Sequence, residues 1–315
     1  MEKRFDVLVV GELNVDLILN TIDKFPEMGK EVLAQQMTLT LGSSSAIFAS
    51  NLSTLGASVT YAGKLGYDNF GEHILSSLKA KGVDTGNIMH TTTHSTGATI
   101  ILNFSEDRAM VTYPGAMSAL ALVDVPEAKM KQARHLHVSS VFLQPGIRKD
   151  IVALFQRAKA LGLTTSIDPQ WDPSETWDLD LKALLPFVDV FLPNAVELKA
   201  LARVNNLPEA LEYVRQFDGA FVVKNGSEGA YLWDGKSMHH QRAFLNTQVV
   251  DSIGAGDSFD AGFIYKFLQH KSWQECLEFG ALTGAVNTTR HGGTGAFEDL
   301  NLVKTIAAST FNYTF

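Results

Sequence analysis

The sequence is poor in cysteine: Cys276 is the only one among 315 residues, so no internal disulfide can form. No apolar run approaches the ~18 residues that a membrane helix needs, and the apolar residues 7–10 are too few for the core of a signal peptide. The formal net charge is -8 and no Lys/Arg-rich run occurs, which argues against a nucleic-acid-binding surface. We therefore expect a cytoplasmic protein that binds neither nucleic acid nor membrane, with Cys276 packed in the core.

Several site motifs are also missing. The segment Gly235-Lys236-Ser237 resembles the end of a P-loop, but Ala230 stands where that motif needs its first glycine. The dinucleotide fingerprint G-x-G-x-x-G fails after Gly254 because Phe259 occupies its last position. Two histidine pairs have no Cys or Glu companion at zinc spacing: His135/His137 and His239/His240. These absences argue against a P-loop enzyme, a nicotinamide-dependent dehydrogenase and a zinc site.

Strand-like apolar runs alternate with amphipathic helical segments through much of the chain. The run FDVLVV at residues 5–10 is typical of a strand buried on both faces, and residues 164–169 and 189–194 also predict strands. Residues 71–82 and 150–162 each predict a helix that ends at a glycine. This alternation predicts an α/β fold with a Rossmann-like, mainly parallel sheet flanked by helices.

Two segments interrupt this alternation. Residues 15–41 and 96–115 each contain two β-rich runs around a polar turn, which predicts a β-hairpin. We expect the two hairpins to form a small β-sheet that acts as a lid on the α/β core. The expected lid comprises residues 13–42 and 96–116, and the core comprises residues 1–12, 43–95 and 117–315.

Polar residues follow several predicted strands, where ligands of an open parallel sheet gather. Glu12, Asn14 and Asp16 share one face of an extended segment. Two carboxylates and an amide are suited to binding hydroxyl groups, although a solvated strand face explains the same pattern. Asp168 and Gln170 follow a later strand, in a segment that a plain Pro-rich turn also explains.

Asn194 and Glu197 follow the strand predicted at residues 189–194. Their spacing of three is typical of a capping box at a helix start. The same two side chains could equally hold a metal-bound water near phosphate groups. The sequence leaves both interpretations open.

The segment VVDSIGAGDSFDAGFIYKFL, residues 249–268, places Gly-Ala-Gly-Asp at the start of a predicted helix. The first N–H groups of a helix have no intrahelical partner, and small residues at 254–256 let an anion approach them. Asp257 is either a helix-capping carboxylate or a base that accepts a hydroxyl proton as that oxygen attacks phosphorus. We favour the base, because it would lie beside the predicted anion site.

These residues resemble the ribokinase-like (pfkB) carbohydrate kinases over nearly the whole chain. The strongest match is DSIGAGDSFDAGF, which is similar to the family signature D-T-x-G-A-G-D-x-F-x-A-G. Collinear weaker matches are GELNVD, LGYDNFG (65–71), YPGA (113–116), PNAVE (193–197) and HGGTGA (291–296). The resemblance implies a Rossmann-like core with a β-lid, ATP and Mg²⁺ as cofactors, and a possible homodimer formed through the lid.

The resemblance also implies roles for individual residues. Asp257 would be the catalytic base, and the backbone of Gly254, Ala255 and Gly256 the anion hole. The implied sugar-binding residues are Asn14, Asp16, Gly42 and Ser43. The implied nucleotide and metal residues are Asn194, Glu197, Lys224, Gly226, Gly229, Asn287 and His291, with Asp251 at a position linked to a monovalent cation such as K⁺ in some members.

One loop departs from the family pattern, which usually has Gly-Gly and then Asn four residues later. Here Ser43 replaces the second glycine and Ile47 replaces the asparagine, so we expect a change in the accepted sugar. The sequence predicts an ATP-dependent kinase acting on a hydroxymethyl group of a small sugar or sugar derivative. The alternatives are a nucleoside kinase of the same family and a catalytically silent sugar-sensing protein on the same scaffold.

Overall fold

The computed structural model describes residues 3–104 and 107–315. Its strands are β1 (Phe5–Val10), β2 (Asn14–Ile22), β3 (Ala34–Leu41), β4 (Val59–Gly66), β5 (Asp84–Thr91), β6 (Gly97–Phe104), β7 (Asp107–Tyr113), β8 (Ala133–Ser139), β9 (Thr164–Asp168), β10 (Val190–Phe191), β11 (Ala220–Lys224), β12 (Ala230–Trp233) and β13 (Met238–Gln241). Its helices are α1 (Ser44–Thr54), α2 (Asn69–Ala80), α3 (Glu127–Met130), α4 (Pro145–Arg148), α5 (Ile151–Ala160), α6 (Leu181–Leu184), α7 (Ala195–Ala202), α8 (Leu207–Val214), α9 (Ala255–Leu268), α10 (Trp273–Asn287) and α11 (Leu300–Phe311).

The large sheet has the order β13-β12-β11-β10-β9-β8-β1-β4-β5. The strands from β11 to β5 in this order pair in parallel, and β12 and β13 add an antiparallel edge. The predicted α/β class with a mainly parallel sheet is confirmed. Because β1, β9, β10 and β11 run in the same direction, their carboxyl ends meet at one edge, where ligands of such sheets bind.

Side chains of β1 show why both faces of this sheet are covered. Leu8 and Val10 pack into one buried apolar cluster, while Val7 and Val9 pack into another on the opposite face. Helices α5 and α7 contribute to the first cluster, and α1, α2, α9 and α10 contribute to the second. Alternate burial on both faces explains the unbroken apolar run at residues 5–10.

The small sheet has the order β3-β2-β6-β7. Each predicted hairpin is present, since β2 pairs antiparallel with β3 and β6 pairs antiparallel with β7. The sequence did not predict that β2 and β6 join the hairpins through a parallel pairing. The four strands therefore form one continuous surface beside the carboxyl edge of the large sheet.

Helices α9 and α10 pack closely because glycine removes side chains at their contacts. A Cβ atom on Gly262 would lie 2.0 Å from Oγ1 of Thr283, and one on Gly280 would lie 3.1 Å from Phe259. Phe259 and Phe263 are buried against the sheet, as their spacing of four predicts. This packing fixes the start of α9 at the carboxyl edge.

Most predicted elements are found with small shifts in their bounds. The glycines predicted to end the helices at residues 71–82 and 150–162, Gly82 and Gly162, have φ of 79° and 75°. The strand predicted at residues 189–194 is shorter, because Asn194 caps α7 and Pro193 has no N–H to donate. Cys276 is buried, as expected. No helix among the described residues is long and apolar enough to cross a membrane.

Candidate active site

A cleft of about 650 Å³ lies between the small sheet and the carboxyl ends of β1, β9 and β11. Its lining includes these predicted site residues: Asn14, Asp16, Ser43, Asn194, Glu197, Lys224, Gly226, Gly254, Gly256 and Asp257. The fold therefore brings together positions from Asn14 to Asp257 that are far apart along the chain.

The polar residues after β1 form one wall of this cleft. Glu12, Asn14 and Asp16 are only 1%, 4% and 7% exposed, so the solvated strand face that was left open is wrong. The Asn14 amide nitrogen donates to Asp16 Oδ1 at 3.1 Å and to Thr99 Oγ1 at 2.9 Å, which joins the two hairpins. Asn14 and Asp16 thus form a fixed amide–carboxylate pair, whose chemistry is suited to hydroxyl groups.

Glu12 has a structural task as well as a place in the lining. Its carboxylate accepts hydrogen bonds from the Ser45 N–H at 3.1 Å and from the Ser45 hydroxyl at 2.5 Å. Complete burial raises the pKa of Glu12 above its ordinary value, although these donors oppose the shift. Glu12 therefore holds the first turn of α1 against the cleft.

The loop at Gly42 and Ser43 fits closely against that wall. A Cβ atom on Gly42 would lie 2.3 Å from Asp16 Oδ1, so only glycine leaves room for the Asp16 carboxylate. Ser43 adopts φ of 69° and caps α1, accepting from the Ala46 N–H at 3.0 Å and donating to the Glu12 carbonyl at 2.6 Å. These bonds offset the strain of a left-handed serine where the family usually has glycine.

Ile47 also lines the cleft, but it is 3% exposed. A Cβ atom on Gly293 would lie 2.3 Å from Ile47 Cδ1, and one on Gly254 would lie 3.2 Å from Ile47 Cγ2. Ile47 therefore fills the space between two glycine loops and presents apolar surface there, with no hydrogen-bonding group for a sugar.

The N-terminus of α9 opens into the cleft. Gly254 is its N-cap residue, with φ of 75° and no side-chain cap. Among the described residues, the N–H groups of Gly256 and Asp257 find no hydrogen-bond acceptor. The interpretation of Asp257 as a capping residue is wrong, because its carboxylate does not bond to the helix start. Unpaired N–H groups and the helix dipole together attract an anion.

Asp257 is buried beside these N–H groups, and its Oδ1 accepts a hydrogen bond from the Gln170 amide nitrogen at 2.9 Å. Burial raises the pKa of Asp257 to about 7; the Asp168 carboxylate adds to the shift and Lys224 opposes it. A carboxyl group with this pKa can take up and release a proton near neutral pH.

Lys224, at the end of β11, lies between two buried carboxylates. Its Nζ is 2.7 Å from Asp168 Oδ2 and 3.0 Å from Asp260 Oδ1. Burial opposes the charge on Lys224, but Asp168 and Asp260 together raise its pKa above the ordinary value. The ammonium group also approaches the start of α9, since a Cβ on Gly256 would lie 3.7 Å from it.

A second cavity of about 370 Å³ lies on the other side of the α9 N-terminus. Lys224, Gly226 and Gly256 line both cavities, so the start of α9 stands between them. Predicted residues Gly229 and Ala255 also line the second cavity, together with the apolar side chains Phe244, Leu245, Val249, Phe259, Ala281 and Ala285. Such a lining suits a flat apolar ring with an anionic chain directed at α9.

Asn194 and Glu197 form the capping box that the sequence allowed. Asn194 Oδ1 accepts from the N–H groups of Val196 and Glu197, and Glu197 accepts from the Asn194 N–H at 2.9 Å. Burial and the Asp168 charge raise the pKa of Glu197 to about 8. Both residues also line the cleft, so the capping geometry leaves their part in metal or phosphate binding open.

Four predicted site residues line neither cavity: Gly42, which packs behind Asp16, and Asn287, His291 and Asp251. Asn287 is buried and donates to the Ile253 carbonyl at 2.6 Å, and His291 is exposed. Asp251 accepts from the N–H groups of Ile253 and Gly292, both at 2.9 Å. Among the described residues, no group of three or more His, Cys, Asp or Glu side chains could hold a metal ion.

Comparison with known proteins decides the family. The model of the pfkB family carbohydrate kinases matches residues 4–300. The chain belongs to this family. The pfkB assignment makes it a carbohydrate kinase, a phosphotransferase with an alcohol group as acceptor, and confirms the predicted resemblance.

Relatives agree in length and architecture. An ATP-dependent ribose-1-phosphate kinase of Halopiger xanaduensis is 30% identical over 294 residues, covering 92% of this chain and 94% of that protein. The structure of Arabidopsis thaliana ribokinase complexed with ribose and ATP has a TM-score of 0.81 at 23% identity, covering 96% and 99% of the two chains. A putative ribokinase II from E. coli, in complex with ATP and Mg²⁺, has a TM-score of 0.81 at 22% identity, covering 96% and 98%.

The sequence pattern assigns no role to Asp260 or Gln170, although Asp260 pairs with Lys224 and Gln170 donates to Asp257. Asp260 follows Asp257 by three positions on α9, a spacing that puts both on the same helix face and could have identified it. Gln170 reaches Asp257 across 87 residues, and no local pattern indicates that contact.

Proposed function

We propose that this pfkB kinase transfers the terminal phosphoryl group of ATP to a hydroxymethyl group of a small sugar or sugar derivative, with Asp257 as general base. The observation that carries the proposal is the buried Asp257 carboxyl beside the unpaired N–H groups that open α9. The base accepts the hydroxyl proton while the N–H groups of Gly256 and Asp257 stabilise charge on the migrating phosphoryl group.

The acceptor occupies the cleft in this proposal. Asn14 and Asp16 bind its hydroxyl groups, and the loop at Gly42 and Ser43 closes the wall behind them. A paired amide and carboxylate discriminate strongly against an acceptor that lacks the matching hydroxyl, because they would be left unpaired. The apolar surface of Ile47 supports an acceptor that differs from ribose on that side.

The nucleotide occupies the second cavity, and its phosphates run past Lys224 and Gly226 to the start of α9. Gly229 allows a tight turn in that wall, since its φ is 95° and a Cβ there would lie 1.9 Å from the Gln241 carbonyl. Asn287 supports this side indirectly by holding Ile253, and His291 is proposed as a neighbour of the adenine. An unchanged ATP affinity in His291→Ala would remove His291 from the proposal.

A magnesium ion fits this arrangement through Glu197 and Asn194. Mg²⁺ is usually held by one or two carboxylates, several waters and the substrate phosphates, and Glu197 is a buried carboxylate on the cleft wall. When bound, Mg²⁺ neutralises phosphate charge. A monovalent cation near Asp251 is proposed separately, and equal activity in K⁺ and in tetramethylammonium would remove it.

The small sheet acts as a lid in this mechanism. Ile18 of β2 and Ile101 of β6 form a buried apolar cluster with Ile253, the residue before Gly254. Closure of the lid on the acceptor therefore presses on the loop that carries the anion site. Expulsion of water from the closed cleft limits wasteful hydrolysis of ATP.

A nucleoside acceptor is the second candidate, because the cleft also offers apolar surface. Trp171 is half-exposed in the cleft wall, and Leu143, Ile101 and Ile253 line the same space. An aromatic ring beside apolar side chains could stack against a base, while Asn14 and Asp16 bound its ribose.

A substrate panel separates these candidates. ATP consumption with Mg²⁺ is measured with ribose, fructose, 2-keto-3-deoxygluconate, inosine and adenosine. Transfer to a sugar supports the proposal, and transfer restricted to nucleosides supports the second candidate. Binding without transfer across the panel would contradict both.

We also propose a homodimer formed through the outer face of the lid. On that face Met37, Ile100 and Val111 are 68%, 42% and 66% exposed, and β3, β2, β6 and β7 align them into one apolar surface. Such a surface is typical of an interface between subunits. Val111→Glu should convert a dimer to a monomer in light scattering, whereas Val123→Glu, at a position 87% exposed elsewhere, should not. A monomeric wild type would contradict this proposal.

A further inference from the structure

Gln170 has a backbone conformation that its residue type disfavours. Its φ is 60°, in the left-handed region that glycine adopts freely and a long side chain adopts at a cost. A strained residue in a binding cleft is a reason to look for a task that needs that particular side chain. Gln170 lies in the cleft lining directly after Pro169.

The side chain of Gln170 joins two buried carboxylates. Its amide nitrogen donates to Asp168 Oδ2 at 2.7 Å and to Asp257 Oδ1 at 2.9 Å. Both partners are carboxylates, so the nitrogen and not the oxygen of the amide must face them. Asp168 Oδ2 also accepts from Lys224 Nζ at 2.7 Å, which fixes the far end of this arrangement.

The surrounding loop is held by other contacts. The buried Asp172 carboxylate accepts from the Ser174 N–H at 2.9 Å, the Ser174 hydroxyl at 2.7 Å, the Thr176 hydroxyl at 3.1 Å and the Trp177 N–H at 2.7 Å. Glu175 and Trp177 in this loop also have positive φ, 53° each. The loop therefore does not depend on the Gln170 side chain for its shape.

We propose that Gln170 is a positioning residue for the base: its amide, anchored on Asp168, fixes the orientation of the Asp257 carboxylate toward the acceptor hydroxyl. This inference rests on the proposed role of Asp257. It gives a reason for glutamine at a position where glycine would be unstrained. The strain is borne by the backbone so that one N–H₂ group can reach both carboxylates.

The charged groups that face Asp257 determine how removal of the Gln170 amide should change the protonation of Asp257. They are Glu12 after β1, Asp168 on β9, Glu197 on α7, Lys224 on β11 and Asp260 on α9, with the Ser44 hydroxyl on α1. Most of them are carboxylates, so the Gln170 amide is one of few groups that favour the charged form of Asp257. Loss of this donor should move the acid limb of the rate profile to higher pH.

Gln170→Gly separates positioning from stability. Glycine is unstrained at φ of 60°, so the melting temperature should equal or exceed that of the wild type. Turnover should fall between about tenfold and about a hundredfold because the base is no longer oriented, while ATP affinity stays unchanged. Gln170→Asn keeps the amide and tolerates the backbone, but it is one methylene too short, so it should lose turnover similarly.

Glu175→Gly is the matched control. It relieves the same kind of backbone strain at an exposed position in the same loop, so turnover and the pH profile should stay as in the wild type. Wild-type turnover with an unmoved acid limb in Gln170→Gly would overturn the inference. A loss of turnover that is explained entirely by a lower melting temperature of Gln170→Gly would also overturn the inference. Neither result touches the proposed function, which fails separately if Asp257→Asn remains active.

Discussion

The buried pair His135 and His137 should make the protein sensitive to acid. Both are fully buried, and hydroxyl groups of Thr164, Ser166 and Ser139 contact their ring nitrogens at 2.6 to 2.8 Å. Burial lowers the pKa of His135 to about 3 and that of His137 well below its usual range. The native state therefore keeps both rings neutral in the pH range in which an unfolded histidine becomes charged.

The magnitude follows from the unfolded chain, where histidine has a pKa of about 6.5. At pH 5.5 each of the two histidines is protonated in the unfolded chain but not in the native state. This difference lowers the free energy of unfolding by about 1.4 kcal/mol per residue, or about 3 kcal/mol for the pair. Because the folded pKa is the lower one, this part of the stability is fully present above pH ~6.5 and is lost as the pH falls. Between pH ~7.5 and pH ~9 the two histidines should not make the free energy of unfolding depend on pH.

Urea unfolding followed by tryptophan fluorescence at pH 7.5, 6.5 and 5.5 tests this. The double variant His135→Gln/His137→Gln should start less stable, but it should lose about 3 kcal/mol less than the wild type between pH 7.5 and 5.5. His270→Asn, at an exposed position, should lose as much as the wild type. An equal loss in the wild type and the double variant would refute the reasoning.

Three further predictions concern the site. With a pKa of about 7 for Asp257, kcat/KM at pH 6 should be about one tenth of its plateau, since the base must be ionised; a profile flat down to pH 5.5 would contradict this. Gly256→Ala should leave the melting temperature unchanged or higher, because its Cβ meets only Lys224 Nζ at 3.7 Å, yet lower turnover at least ~10-fold by obstructing the anion site; wild-type turnover would contradict it. Ile101→Ala should raise the acceptor KM and the acceptor-independent ATPase rate, because the lid loses its contact with Ile253; an unchanged ratio of hydrolysis to transfer would speak against the lid contact.

Local patterns carried most of what could be predicted from the sequence. The glycines at 254 and 256 followed by an apolar spacing of four indicate a helix with an open N-terminus, because both signals lie within one segment. The alternation at Glu12, Asn14 and Asp16 likewise indicates a polar face after β1. Each of these features depends on neighbours in the chain, so a pattern of residues suffices to predict it.

Contacts between distant segments could not be predicted in this way. The parallel pairing of β2 with β6 depends on how two hairpins dock, and the Ile18–Ile101–Ile253 cluster depends on that pairing. The charge on Lys224 is matched by Asp168 and Asp260, 56 and 36 residues away, so its setting appears only when the strands and α9 are assembled. Local propensity says nothing about such pairings.

The central claim is that Asp257 takes the proton from the hydroxyl group of the acceptor, beside the unpaired N–H groups at the start of α9. Steady-state turnover and ATP affinity of Asp257→Asn, measured with the best acceptor of the panel, test it most directly. Asp257→Asn should lower turnover about a thousandfold or more and leave ATP affinity within about threefold of wild type, because the base is removed and the anion site is kept. Turnover within a few-fold of the wild type would contradict the account.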